Sequence, residues 1–314
     1  MKRALLAPDE AVPPLDALVP PWPGRAVELD GSLIFVRHTP PTRREAEPAL
    51  YVHGLGGSSQ NWTDLAALLA GRLDGQAIDL PGFGLSDPAP RYTLAAMAGR
   101  VIRWIEHAGR GPVHLVGNSL GGTVTVKVAA ARPDLVRTLT LVSPALPFLN
   151  PRRTLQGQLL PLLAVPRARV LANRMLSGYT PEELTSRVIE AVFADPRRVA
   201  DQRVAEAVEE VRLRYTAQHY VDAYLGAMRG LVASFLWSYL PGNRSLWKIL
   251  SAVPAPSLVI GGRQDRLVDV RVPPQAARLL PDSRLLLLDG VGHVAHMEVP
   301  RLVARAVVSL LDDR

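Results

Sequence analysis

The chain has 314 residues, no cysteine and a formal charge of +7, which excludes a thiol nucleophile, a disulfide framework and a thiolate metal site. All but three of its 36 basic residues are arginine, and they are scattered without the aromatic-interleaved clusters of a nucleic-acid-binding surface. No apolar run reaches the ~20 residues that span a bilayer, and Asp9 and Glu10 cut short the apolar stretch near the N-terminus. The chain therefore reads as soluble and cytoplasmic, with peripheral membrane contact left open.

In chain order, the proline-rich residues 1–24 read as an extended arm on the surface. Residues 26–29 and 32–37 flank Asp30-Gly31, a two-residue hairpin signal. Residues 39–48 are polar and read as a loop. Short apolar runs at 50–53, 76–80, 113–117 and 138–142 then alternate with amphipathic stretches at 62–70, 94–107 and 120–131. Buried strands alternating with helices predict a parallel sheet covered on both faces. The alternation resumes with strands at 257–261 and 284–288 and helices at 272–280 and 302–311.

Between these blocks strand signals vanish. Thr180-Pro181-Glu182-Glu183 is a capping box with proline in the first turn, and helical patterns follow at 200–215 and 219–237. The organisation expected is an arm (1–24), a core (25–145 with 254–314) and a helical insertion (146–253). Leu159, Leu160, Leu162 and Leu163, with Phe235, Leu236 and Trp237, could line an apolar pocket or form the insertion's own core, as helical apolar stripes usually do. Tyr215, Tyr220 and Tyr224 are open to the same two readings.

Chemistry concentrates at strand ends. Gly117-Asn118-Ser119-Leu120-Gly121 fits G-x-S-x-G between an apolar strand and a helix, the setting of a nucleophile elbow. Gly117 and Gly121 let the sharp turn form, and Gly122 lets the helix approach the sheet. His53-Gly54-Leu55-Gly56-Gly57 follows another strand. Its glycines can turn the Leu55 N–H toward a developing oxyanion, with the Leu120 N–H as partner; His53, Gly54 and Gly56 shape the loop. No G-x-x-x-x-G-K-[ST] run supports a phosphate-cradling reading.

Asp265 follows strand 257–261, and Gly292-His293 follows strand 284–288. Serine needs a base to take its proton, and the base needs an acid to hold it; Ser119, Asp265 and His293 fall in the chain order expected of such a set. Asp269, Asp289 and His296 are rivals for these roles, and Glu298 and Pro300 read as helix-start residues.

These segments, together with Asp79-Leu80-Pro81-Gly82-Phe83-Gly84-Leu85-Ser86-Asp87, resemble the α/β-hydrolase superfamily. The resemblance implies an eight-stranded, mostly parallel sheet with helices on both faces and a helical cap. It places the nucleophile on Ser119, the acid on Asp265, the base on His293 and the oxyanion donors on Leu55 and Leu120, and gives Ser86 a structural role. The aspartate-nucleophile branch, with epoxide hydrolases and haloalkane dehalogenases, has an acid where this chain has Ser119.

The activity expected is carboxylesterase- or lipase-like hydrolysis of an apolar, small-molecule carboxylic ester through an acyl-enzyme, without metal or organic cofactor. C–C or amide bond hydrolysis by the same triad, or a non-catalytic small-molecule receptor on the same fold, are the alternatives. The sequence assigns no oligomeric state.

Overall fold

The computed structural model describes residues 1–148, 169, 170, 172, 174, 178–240 and 245–313. Its strands are β1 (Lys2–Arg3), β2 (Gly24–Leu29), β3 (Ser32–Thr39), β4 (Glu47–Val52), β5 (Leu73–Ile78), β6 (Val113–Asn118), β7 (Val136–Val142), β8 (Ser257–Gly262) and β9 (Ser283–Leu288). They form one sheet in the order β1-β9-β8-β7-β6-β4-β5-β3-β2. From β1 to β5 in that order neighbours are parallel; β3 and β2 close the far edge as an antiparallel hairpin. Asp30 and Gly31 both have positive φ, 51° and 75°, the backbone that a tight hairpin turn demands.

The ninth strand corrects the expectation of eight. Lys2 and Arg3 pair with Arg284 and Leu285, and a two-residue strand has no room to display a period. The first 24 residues are likewise more than a surface arm: Ala4, Ala7 and Val12 are buried, and Ala7 exchanges hydrogen bonds with the backbone and side chain of Arg305.

The helices among the described residues are α1 (Thr63–Leu69), α2 (Leu94–Ala108), α3 (Leu120–Ala131), α4 (Pro181–Val192), α5 (Asp201–Thr216), α6 (Tyr220–Ser238), α7 (Leu246–Leu250), α8 (Val272–Leu279), α9 (Ala295–Glu298) and α10 (Pro300–Asp312). Strand side chains alternate between two cores. Leu50, Val52 and Val259 face α2, α3 and α8, whereas Ala49, Tyr51, Leu258 and Ile260 face α1 and α10. Helix α2 buries Leu94, Met97, Val101, Trp104 and Ile105 as one stripe; Thr93 caps its start and Gly109, φ 61°, ends it. Helix α3 is buried almost all round, as suits a helix packed between the sheet and other helices.

Helices α4 to α7 lie between β7 and β8. The Thr180 hydroxyl accepts from the Glu183 N–H (3.1 Å) while the Glu183 carboxylate accepts from the Thr180 N–H (2.9 Å), so the capping box forms as read. No helix of the described residues is long and apolar enough to cross a membrane.

Candidate active site

Parallel strands with matched register bring their C-terminal ends to one edge. Val52 lies beside Gly117, Asn118 beside Val142, and Gly262 beside Leu288. The loops bearing His53, Ser119, Asp265 and His293 leave from that edge, where such sheets gather their ligands.

Ser119 has φ 54° and ψ −117°, a conformation that costs a non-glycine residue about 1–3 kcal/mol. The surroundings enforce it: its N–H donates to the Val142 carbonyl (3.0 Å), and its carbonyl accepts from Thr123 and Ala145 (3.1 and 3.0 Å). A Cβ on Gly117 would lie 2.7 Å from the Gly121 carbonyl oxygen, and one on Gly121 would collide with the carbonyl oxygens of Val52 and His53. Both glycines are thus required by close approach.

His293 and Asp265 meet. Nδ1 of His293 lies 2.9 Å from Oδ2 of Asp265, and both side chains are at most 4% exposed. The other Asp265 oxygen accepts from the N–H groups of Leu267 (2.8 Å) and Val268 (2.9 Å). Burial alone would raise this carboxyl's pKa. The His293 charge and hydrogen bond, with those two N–H groups, outweigh it and hold Asp265 below the usual carboxylate range. An acceptor on Nδ1 favours the tautomer with its proton there and the lone pair on Nε2.

The rivals are occupied elsewhere. Asp269 binds the backbone and side chain of Arg271, and Asp289 is largely exposed beside Arg263. His296 is buried against Trp62.

His53 shapes the glycine loop through both ring nitrogens. Nε2 accepts from the Leu80 N–H (2.9 Å), so Nδ1 carries the proton and donates to the Gly54 carbonyl (2.7 Å). Burial pushes the His53 pKa down, against the opposing pull of Asp79 and the Gly54 bond, in keeping with the neutral ring these bonds need. The Gly54 carbonyl also accepts from Gly57 (3.1 Å). In a trans peptide the N–H points opposite to the C=O, so fixing that carbonyl turns the Leu55 N–H away from His53. Leu120 opens α3, where backbone N–H groups lack intrahelical partners. Ser86 donates to the Asp79 carbonyl and accepts from the Phe35 N–H, a purely structural position.

Ser119, Leu55 and His293 line one cavity of about 150 Å³. Val188, Ile189 and Val192 of α4 form an apolar wall, and Glu210 and Arg214 of α5, which pair with each other, form a polar end. Tyr220 and Tyr224 pack on Gly56, and Tyr215 is exposed with its hydroxyl on the Tyr179 carbonyl. Phe235 packs against the core, while Leu236 and Trp237 are exposed. Leu159, Leu160, Leu162 and Leu163 lie outside the described residues. Among the described residues no group of three or more metal-ligating side chains is assembled.

Two residues escaped the sequence reading. Asn118, the variable position of the G-x-S-x-G motif, donates to the carbonyls of Val142 (3.1 Å) and His293 (3.3 Å), tying the elbow to the histidine loop. Glu298 does not start a helix as expected; it ends α9 with its carboxylate buried, and Pro300 alone opens α10.

A family model described as alpha/beta hydrolase fold matches residues 48–300. The dihydrolipoyllysine-residue acetyltransferase component of the acetoin cleaving system of Cupriavidus necator is 29% identical over 262 residues, covering 81% of this chain and 60% of that protein. The chain thus spans less than two thirds of that relative's length. Monoacylglycerol lipase ABHD6 of Rattus norvegicus is 26% identical over 271 residues, covering 83% of this chain and 74% of that one. The solved structure of Cfl2 from Burkholderia cenocepacia matches with a TM-score of 0.73 at 21% identity, across 91% of this chain and 94% of that chain, a likeness of fold.

Proposed function

The chain belongs to the α/β-hydrolase family, and from that premise we propose that it is a serine hydrolase cleaving a carboxylic ester through an acyl-enzyme. Ser119 attacks the carbonyl carbon as His293 takes its proton, and Asp265 holds the imidazole and stabilises the cation that forms. The N–H groups of Leu55 and Leu120 receive the oxyanion. His293 returns the proton to the leaving alcohol, and water then repeats the cycle on the acyl-enzyme. Residues 146–253 act as the cap that selects the substrate.

The observation that carries this reading is a shared cavity. His293, held at 2.9 Å by Asp265 behind it, and a serine in a strained turn open onto the same space, beside a glycine loop whose carbonyl is tied back. The apolar wall from α4 suits an acyl chain, and the ester named for the ABHD6 relative points the same way.

The test is turnover of p-nitrophenyl butyrate by the wild type and by Ser119→Ala. The variant is expected to lose about a million-fold in kcat, and ester turnover that survives it overturns the reading. A ring-cleavage ketone and an aminoacyl amide complete the panel. Turnover of one of these with no ester hydrolysis replaces the ester with a C–C or amide bond.

A further inference from the structure

The end of α4 is bolted to the loops that carry the acid and the base. The His293 N–H donates to the Val192 carbonyl (2.7 Å), and Arg266, next to Asp265, donates to the Glu190 carbonyl (2.6 Å). Glu298 completes the fastening. One carboxylate oxygen accepts from the N–H of Gly292 (2.7 Å) and of Ala194 (3.2 Å). The other accepts from the N–H of Asp195 (3.1 Å) and from Arg198 Nη1 (3.1 Å). Arg198 Nη1 also reaches the Gly290 carbonyl (2.8 Å). The approach is close enough that a Cβ on Gly292 would lie 2.5 Å from the Val192 carbonyl oxygen.

The Glu298 side chain is 0% exposed, and a buried carboxylate is tolerable only when hydrogen-bonded on every side. Here two donors serve each oxygen, from both the insertion and the histidine loop. The same α4 presents Val188 and Ile189 to the cavity. The helix that would touch substrate and the loop that holds the imidazole therefore share one anchor.

Resting on the hydrolase reading above, we propose that Glu298 is a positioning residue that fixes His293 relative to α4, so that the base is in place only when the inserted helices are seated. Glutamine has nearly the same shape, but its NH₂ would face N–H donors that the second carboxylate oxygen now accepts. The insertion would lose its Asp195 and Arg198 bonds to this anchor, loosening the histidine loop from α4 without any change in the residues that touch substrate.

The experiment compares Glu298→Gln, Arg198→Ala and Arg100→Met in the full chain. Arg100 is a distant buried residue bound to the carbonyls of Leu29 and Ser32, and serves as a control for lost stability alone. The readouts are Tm, kcat and KM on p-nitrophenyl acetate, and the rate of Ser119 labelling by a fluorophosphonate. Glu298→Gln is expected to lower kcat and labelling together, by about 10- to 100-fold for a sub-ångström to 1 Å displacement of the base, with KM within about threefold. Arg198→Ala should lower kcat a few-fold, and Arg100→Met should lower Tm with kcat unchanged.

Wild-type kcat in Glu298→Gln, or a loss matched by Arg100→Met at the same loss of Tm, overturns the proposal. If Glu298→Gln does not fold, unchanged kcat in Arg198→Ala overturns it. Ester turnover surviving Ser119→Ala sinks the hydrolase reading itself, whereas wild-type kcat in Glu298→Gln beside an inactive Ser119→Ala sinks only the positioning role.

Discussion

The imidazole of His296 stacks on the indole of Trp62, with ring centres 4.2 Å apart and planes 29° from parallel. Burial, and then the nearby His293 charge, push its pKa from 6.5 down to about 3. The unfolded chain therefore binds this proton first. Its titration leaves stability unchanged above about pH 6.5 and lowers it progressively as pH falls from there toward 3. Urea midpoints of wild type and His296→Phe, measured from pH 7 to 4, should diverge, with the variant the flatter. Parallel curves would refute the assignment.

Asp265 titrates in the same sense, through a charged and not a neutral folded form. Because folding depresses its pKa, its contribution is present at neutral pH and is lost as pH falls through that lowered value. Asp265→Asn preserves shape but can offer an NH₂ to Nδ1, which moves the imidazole proton to Nε2. A loss of about 10⁴ in kcat is expected, by analogy with the same change in serine proteases. Steady-state kinetics at pH 7 and 8 would check it, and a loss below tenfold would remove Asp265 from the triad.

Ser119 stores strain that glycine would not. Its φ of 54° costs nothing extra without a Cβ. Ser119→Gly should therefore be more stable than wild type by about 1 kcal/mol while being inactive, and Ser119→Ala should gain nothing from its backbone. Thermal unfolding of the three proteins separates these cases; equal midpoints for Gly and Ala would contradict the strain.

His53→Phe would leave the Leu80 N–H without its acceptor and leave the Gly54 carbonyl held by the Gly57 N–H alone. The unpaired donor should cost about 1–3 kcal/mol. A loosened peptide at Gly54–Leu55 should lower kcat by roughly 100-fold, the scale of losing one oxyanion donor, with little effect on KM. Unchanged kcat would leave His53 with a role in stability alone.

Local pattern carried the reading a long way where the physics is local. Helix 120–131 was legible because one glycine motif marks its start, and it forms as Leu120–Ala131. The two-faced strands were legible because parallel burial writes continuous apolar runs. What stayed hidden was non-local. The Glu298 carboxylate is satisfied by Ala194, Asp195 and Arg198, about a hundred positions upstream, and a glutamate just before Pro300 looks like an ordinary helix start. Lys2–Arg3 join the sheet only because β9 offers an open edge. The His53 tautomer follows from a partner at Leu80, which no motif announces.

The order of strands in the chain also has a temporal meaning. Strands β4 to β7 and helix α3 precede the inserted helices, whereas the loops with Asp265 and His293 come after β8 and β9. A polypeptide growing from its N-terminus can thus assemble the turn around residue 119 while the imidazole is still unmade. On the proposed mechanism the alcohol stays chemically mute throughout most of translation, and the half-built protein has no way to attack the esters around it.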